Sequence, residues 1–239
     1  MIQTLTKILL FFLLILNFGW VAGQHDSSMF NFSPLQSNGM GKPVVRIVVN
    51  KSFKQTAGWT EKLKDIGKVN IVYSYNSMGV CEYTSEKSFL EHKQKTYSAK
   101  KYAKFSNEWY AMREQSMEPK FLEYFNKNIM EVGMMGFNDA RPADATLRVE
   151  ILYMDPEDHR YVNSPPPYIS TICTFFAKDE ILARYEFVAV GSREKNMRDR
   201  MTECFAIAGK MLSKNIVKKM RAIEKNGPVN SGTFTESED

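Results

Sequence analysis

Apolar and polar positions alternate most clearly between Ala143 and Val190, and this pattern predicts the central part of the fold. It indicates three β-strands, at Ala145–Met154, Tyr168–Phe176 and Ile181–Val190. In the first strand the odd-numbered positions from Leu147 to Tyr153 are all apolar, which is typical of a half-buried strand. The second and third strands are separated by a short polar connection, so they are predicted to form a hairpin.

The other segments are predicted to cover these strands. Two further strands are expected at Val44–Val49 and Val69–Tyr75, and helices at 56–66, 86–95, Ser106–Gln115, Ser116–Val132 and Glu194–Ile223. Within Ser116–Val132, the side chains of Phe121, Phe125 and Ile129 are spaced by four positions, which predicts a stripe facing the core.

These elements predict a single α/β domain over residues 43–226. A mixed or mostly antiparallel sheet of about five strands is expected to pack against the long C-terminal helix and a helical insert. The sheet face that carries Ile181, Tyr185 and Phe187 is predicted to meet the C-terminal helix. Residues 24–42 are interpreted as a flexible leader and residues 227–239 as a disordered acidic tail.

The first 23 residues have the features of a secretory signal peptide. Lys7 supplies a positive charge, an uninterrupted apolar run covers Ile8–Leu16, and small or branched residues follow at 21–23. The apolar run is too short to span a membrane. Cleavage after Gly23 is expected to leave Gln24 as the first residue of an exported, periplasmic or cell-envelope protein.

The charge composition of the chain narrows the classes of molecule that we expect it to bind. The chain has 32 basic and 27 acidic residues, a formal net charge of +5. That excess is mild, and no basic patch is concentrated enough to indicate nucleic-acid binding. No membrane span is expected once the signal peptide is removed, and the pattern leaves the oligomeric state open.

The metal-site hypothesis concerns the loop that follows the first central strand. Asp155, Glu157, Asp158 and His159 would offer oxygen and nitrogen ligands to a divalent cation, as a metal-dependent hydrolase requires. The same residues with Pro156 also describe an ordinary surface turn. The sequence has no phosphate-binding loop, nucleophile elbow or zinc motif, so we predict no cofactor and no catalytic residues.

A second hypothesis concerns Tyr161–Tyr168, which contains three consecutive prolines. Such a run favours an extended conformation that loses little entropy on binding. Tyr161 and Tyr168 would then stack on a glycan or peptide, whereas the simpler interpretation is a stiff linker that leads into the hairpin.

The three cysteines, Cys81, Cys173 and Cys204, are an odd number for an exported protein. If the C-terminal helix packs on the second central strand, Cys173 and Cys204 would come close enough for a disulfide. The alternative is that all three are small buried apolar residues.

Two groups of positions resemble uncharacterised exported α/β proteins of Bacteroides-type bacteria. The earlier group is Val69–Tyr75, Met78, Ser85–Leu90, Trp109 and Glu118–Phe121, and the later group is Gly136-Phe137, Ala143–Val149, Arg198, Ala206, Ala208, Gly209 and Lys214–Lys218. The layout also looks like the α/β domains of envelope lipoproteins, such as the curli secretion channel subunit and a penicillin-binding-protein activator. No lipid-acceptor cysteine follows the apolar run, in which respect this chain differs from those lipoproteins.

The resemblance implies an exported protein without a catalytic motif. We therefore expect a non-enzymatic envelope protein that contacts another protein. The glycan- or peptide-binding module and the metal-dependent hydrolase remain the alternatives.

Overall fold

A computed structural model of the chain describes residues 32–34, 45–47, 53–156, 166–192 and 196–226. These residues fall into two units, Met1–Asn50 and Lys51–Asp239. In the first unit, strand β1 (Phe32–Pro34) pairs antiparallel with β2 (Val45–Ile47) in a two-stranded sheet. β2 lies within the strand predicted at Val44–Val49. β1, in contrast, lies in the segment 24–42 that is predicted to be a flexible leader. The predicted signal peptide, the rest of the leader and the tail lie outside the described residues.

The second unit is built on one open, mixed sheet of seven strands. They are β3 (Lys54–Gly58), β4 (Lys68–Ser74), β5 (Gly79–Val80), β6 (Met135–Phe137), β7 (Ala145–Asp155), β8 (Tyr168–Ala177) and β9 (Glu180–Val190). Their order is β3-β9-β8-β7-β4-β6, and β5 also pairs with β7. Neighbouring strands from β3 through β9 and β8 to β7 pair antiparallel. The pairs β7·β4, β7·β5 and β4·β6 are parallel. The predicted α/β class is confirmed, with more strands than the five expected.

Four α-helices cover this sheet in the described part of the chain: α1 (Glu86–Thr96), α2 (Ala99–Met112), α3 (Glu118–Ile129) and α4 (Met197–Asn226). A π-helical turn, Arg113–Met117, joins α2 to α3, and 3-10 turns occur at Thr60–Leu63 and Met130–Val132. The first three helices form an insert between β5 and β6. None of the helices in these described ranges combines the length and the apolar character of a membrane span.

Helices α3 and α4 approach each other closely at a glycine. A Cβ atom added to Gly209 would lie 2.3 Å from the carbonyl oxygen of Phe121, so only glycine fits there. The predicted stripe of Phe121, Phe125 and Ile129 is fully buried. Beside it, Asn128 Nδ2 donates to Ser213 Oγ at 3.2 Å. The two helices are therefore fixed to each other by packing and by a polar contact.

Strand β9 packs against α4 largely as the sequence predicts. Tyr185, Phe187 and Phe205 are all fully buried in one core cluster. Ile181, however, does not join them and is 40% exposed. A register shift makes Ile181 the partner of Phe176, while Ala183 pairs with Phe175. The extra residue between these pairs turns Ile181 away from the face of Tyr185, because a bulge breaks the two-residue alternation.

The sequence pattern predicted neither of the two edge strands of the sheet, β3 and β6. β3 replaces the beginning of the helix predicted over 56–66, and only the Thr60–Leu63 turn is helical there. β6 is a three-residue strand. Asn126 holds its centre, since Asn126 Nδ2 donates to the Gly136 carbonyl at 2.9 Å and the Gly136 amide donates to Asn126 Oδ1 at 2.8 Å. A side chain thus supplies the pairing that a further strand would give.

Candidate functional site

A polar cavity of about 440 Å³ lies where β4 ends, beside the start of α1 and the π-helical turn. We call it the polar pocket, and its lining residues are Tyr73, Ser74, Tyr75, Asn76, Ser85, Glu86, Lys87 and Arg113. Ends of parallel strands are frequent positions for binding sites in α/β proteins.

Local sequence signals explain why the residues that form the wall of the polar pocket lie where they do. Ser85 begins α1 as its N-cap, and its Oγ accepts from the Ser88 amide at 3.2 Å. Glu86 follows in the first turn, where the helix dipole favours an acidic residue. On the opposite side, the Glu118 amide donates to the Arg113 carbonyl in the π-helical turn. Such turns recur at functional sites because they change the direction of the side chains around them.

Arg113 is the central side chain of this wall. Its Nη2 and the indole Nε1 of Trp109 both donate to Glu86 Oε1. The guanidinium carbon lies 4.2 Å from the centre of the Tyr75 ring and 5.3 Å from that of Tyr110. The side chains of Arg113 and Glu86 are 12% and 18% exposed, so they form a largely desolvated ion pair. Ring stacking and the ion pair together hold the arginine in one orientation.

Tyr73 in β4 and Tyr75, just after the end of β4, converge on Glu118. The Tyr73 hydroxyl donates to the Glu118 carbonyl and the Tyr75 hydroxyl donates to Glu118 Oε1, each at 3.0 Å. Burial raises the pKa of both tyrosines, and the negative charge of Glu118 raises it further. Burial also raises the pKa of Glu118 itself, although the hydrogen bond from Tyr75 opposes this. Both hydroxyls therefore stay protonated and serve as donors.

The pocket is suited to recognition of a polar ligand. Hydroxyl, amide, ammonium, guanidinium and carboxylate groups line it, and each can form hydrogen bonds to an incoming group. Tyr110, stacked on Arg113, leaves half of its surface exposed beside this wall. An exposed aromatic ring next to a fixed arginine is a combination enriched at protein interfaces.

The predicted metal site falls mostly outside the described residues, which exclude Glu157, Asp158 and His159. Asp155 is described and is 7% exposed at the end of β7. Within the described ranges, no group of three or more His, Cys, Asp or Glu side chains is placed to hold a metal ion. The hypothesis is untested for the loop itself.

The predicted aromatic ligand site is not supported at Tyr168. This residue is 2% exposed and stacks on Tyr153, with ring centres 5.5 Å apart. Both residues lie on adjacent paired strands, so the ring is part of the sheet packing and its faces are not open to a sugar or peptide. Tyr161 lies outside the described residues.

The possible disulfide between Cys173 and Cys204 is not formed. Cys81, Cys173 and Cys204 are all buried thiols. Burial raises the pKa of Cys173 and of Cys204 to about 12, so both remain neutral and unreactive in the folded protein. Cys204 lies against the backbone of Gly191, where a Cβ atom would be 2.8 Å from its sulfur. The cysteines act as small packing residues.

Sequence reasoning missed the polar pocket. Its main side chains, Tyr75, Glu86 and Arg113, belong to three separate segments and form no motif. One local signal existed: Arg113 follows Trp109 and Tyr110 within the predicted helix Ser106–Gln115. Arginine beside two aromatic residues at that spacing indicates a stacked cluster.

No protein-family model matches this chain, and comparison with curated proteins finds no match. Among solved structures, the PelC dodecamer from Paraburkholderia phytofirmans is similar at 12% identity, with a TM-score of 0.35, over 68% of this chain and 94% of that one. Protein XCC0632 from Xanthomonas campestris, described as DUF330, is similar at 9% identity, with a TM-score of 0.34, over 66% and 88% of the two chains. Both similarities are low.

Proposed function

We propose that this is an exported, non-enzymatic protein of the bacterial cell envelope that binds another protein through the surface around Tyr110 and the polar pocket. The observation that carries the proposal is the fixed Tyr110–Arg113 pair. Tyr110 is 50% exposed, while Arg113 beneath it is held by Glu86 and Tyr75. A rigid aromatic ring loses little entropy when a partner covers it. The signal-peptide pattern and the resemblance to exported Bacteroides-type proteins support the location.

Site-specific photocrosslinking in the cells that make the protein tests this proposal. A benzophenone side chain placed at Tyr110 is expected to give a covalent adduct with a second protein, which mass spectrometry then identifies. Trp59 provides the matched control, because it is an aromatic residue 59% exposed on a different element. The same adduct from both positions, or none from Tyr110, would contradict the proposed surface.

A binding measurement with the identified partner completes the test. Replacement of Tyr110 by serine is expected to weaken binding by about thirtyfold, since interface hot spots contribute about 2 kcal/mol or more. The melting temperature should stay unchanged because the ring is half exposed. Unchanged affinity in Tyr110→Ser would place the interface elsewhere on the protein.

A further inference from the structure

One side of strand β4 is only partly covered by a neighbouring strand. On the inner side, β4 pairs with β7 over residues 69–74. On the outer side, β6 pairs with residues 68–70 and then ends at Phe137. In the described part of the chain, the outer side of residues 71–74 therefore has no neighbouring strand. We call this stretch the open edge.

Two hydrogen bonds show which backbone groups of β4 point to the outer side. The Met135 amide of β6 donates to the Gly67 carbonyl at 2.8 Å, whereas the Asp144 amide, just before β7, donates to the Lys68 carbonyl at 2.9 Å. Consecutive residues of a strand direct their backbone groups to opposite sides. The odd-numbered residues of β4 therefore point their N–H and C=O groups outward, to the side of β6.

Three backbone groups on the open edge have no partner. They are the Ile71 carbonyl and the amide and carbonyl of Tyr73, and no residue in the described ranges forms a hydrogen bond with any of them. The space beside them is open, because Tyr73 and Ser74 line the polar pocket. Val72, between the two outward-pointing residues, is 37% exposed. The open edge is therefore accessible as well as unpaired.

The adjoining edge strand β6, in contrast, is capped. Asn126 of α3 bonds both backbone groups of Gly136. Four residues earlier, on the same face of α3, lies Leu122, a half-buried apolar side chain with no donor or acceptor. The helix therefore caps β6 and offers no hydrogen bond to the open edge. Proteins usually cover unpaired edges because such edges bind other chains, so an accessible one beside the polar pocket marks a binding position.

We propose that the open edge binds an extended segment of the partner protein, which adds as a further strand beside β4 in line with β6. This inference rests on the proposed function and specifies how that partner is held. Backbone groups at strand spacing recognise another extended backbone, and main-chain hydrogen bonds supply the affinity. Four residues at a rise of about 3.3 Å give a contact of about 13 Å, which a single segment can fill.

The surroundings of the open edge specify the segment further. Tyr73 packs on Phe121 of α3, so Val72 lies on the opposite face of the sheet, where an apolar residue of the segment would form a cross-strand pair with it. A second copy of this chain is a poorer occupant, because a stable interface buries about 800 Å² per partner and a four-residue edge cannot supply that area. A partner that also covers Tyr110 needs only this short contact in addition.

Amide hydrogen exchange in the purified protein tests the structural basis. The Tyr73 amide, which has no acceptor, is expected to exchange about a hundredfold faster than the Val72 amide, which points to β7 and is the matched control. When the partner identified from the Tyr110 crosslink is added, exchange at Tyr73 should slow by about tenfold or more, with Val72 unchanged. Equal protection of the two amides in the free protein, or no slowing at Tyr73 in the complex, would overturn the inference.

Photocrosslinking in cells separates this inference from the proposed function. A benzophenone side chain at Val72 is expected to capture the same protein as one at Tyr110. Ile181 is the matched control, since it is an apolar strand residue, 40% exposed, on β9, which is three strands away from β4.

Each crosslinking result decides between the two proposals. An adduct from Tyr110 but none from Val72 refutes strand addition and leaves the proposed function standing. An adduct from Val72 but none from Tyr110 supports the open edge and contradicts the Tyr110 surface. No adduct from either position overturns both proposals. An adduct of Val72 with a second copy of this chain, or equal adducts from Val72 and Ile181, refutes the assigned occupant.

Discussion

Glu118 connects two residues that line the polar pocket, Tyr73 and Tyr75, to the helical insert. Its backbone amide closes the π-helical turn, its carbonyl accepts from Tyr73, and its carboxylate accepts from Tyr75. Burial raises the pKa of this carboxyl group above its ordinary value of 4.5. The folded protein therefore binds the Glu118 proton more tightly than the unfolded chain does, and this linkage makes stability depend on pH.

The pH dependence gives a prediction for Glu118→Gln. With a raised folded-state pKa, the stability contributed by the protonated carboxyl is present below about pH 4.5 and is lost as the pH rises through the folded-state pKa. The amide side chain of the variant cannot ionise, so the variant should gain stability relative to wild type as the pH rises above about 4.5. Urea unfolding at several pH values measures this difference. Glu108, an exposed glutamate of α2, provides the control, and an equal trend in Glu108→Gln would contradict the assignment.

At the scale of elements, the structure depends on the contact of α4 with the sheet and with α3. Phe205 is fully buried in α4, in the same cluster as Phe187 and Leu212. Gly209, one turn further on, brings the backbone of α3 close. Helix α4 therefore serves two interfaces at once, and a polar substitution there affects both layers of the fold.

Phe205→Asp is expected to destabilise the protein by about 3 to 5 kcal/mol, because it buries an unpaired charge and removes an aromatic ring. Chemical denaturation monitored by circular dichroism measures the change. Lys210→Asp is the control, since Lys210 is exposed on the same helix and should unfold close to wild type. Melting of Phe205→Asp at the wild-type temperature would refute the packing.

The elements that the sequence predicted well are those whose burial is regular. β7 alternates buried and open positions, and the stripe of α3 repeats every four residues, so both could be found from spacing alone. β3 could not, because Lys54–Gly58 is a polar edge strand with no apolar face. The prediction that Ile181 shares a face with Tyr185 was wrong. The bulge that turns Ile181 away arises from the pairing of β9 with β8, which local spacing does not encode.

At the scale of the whole molecule, the class of fold followed from the sequence but the polar pocket did not. The central strands and a covering helical layer follow from alternation, helix spacing and turn residues. The polar pocket needs Tyr75, Glu86 and Arg113 to meet, and they meet only because the insert folds back over the end of β4. Long-range contacts of this kind have no periodic signal in the chain.

The proposed export concerns the whole molecule and gives a separate prediction. The mature protein should begin at Gln24 and should be recovered from the envelope fraction, because the first 23 residues have the charge, apolar run and small-residue site of a signal peptide. N-terminal sequencing of the protein from fractionated cells measures both. Replacement of Leu13 and Leu14 by arginine should retain the precursor in the cytoplasm. Recovery of an intact Met1 terminus from the wild type would contradict export.

The pairing of β3 with β9 also sets the order in which the chain is completed. Lys54 pairs with Glu186 and Gly58 with Ala183, so the first strand of the main sheet is joined to its last. A chain that emerges from its N-terminus releases β3 long before its only described neighbour is synthesised. The backbone N–H and C=O groups of β3 have no strand partner until β9 is made. The chain segment between β3 and β9, which their pairing closes into a loop, is among the longest between paired strands of this sheet. The time between the synthesis of these two strands is when this protein most needs protection from pairing with other chains.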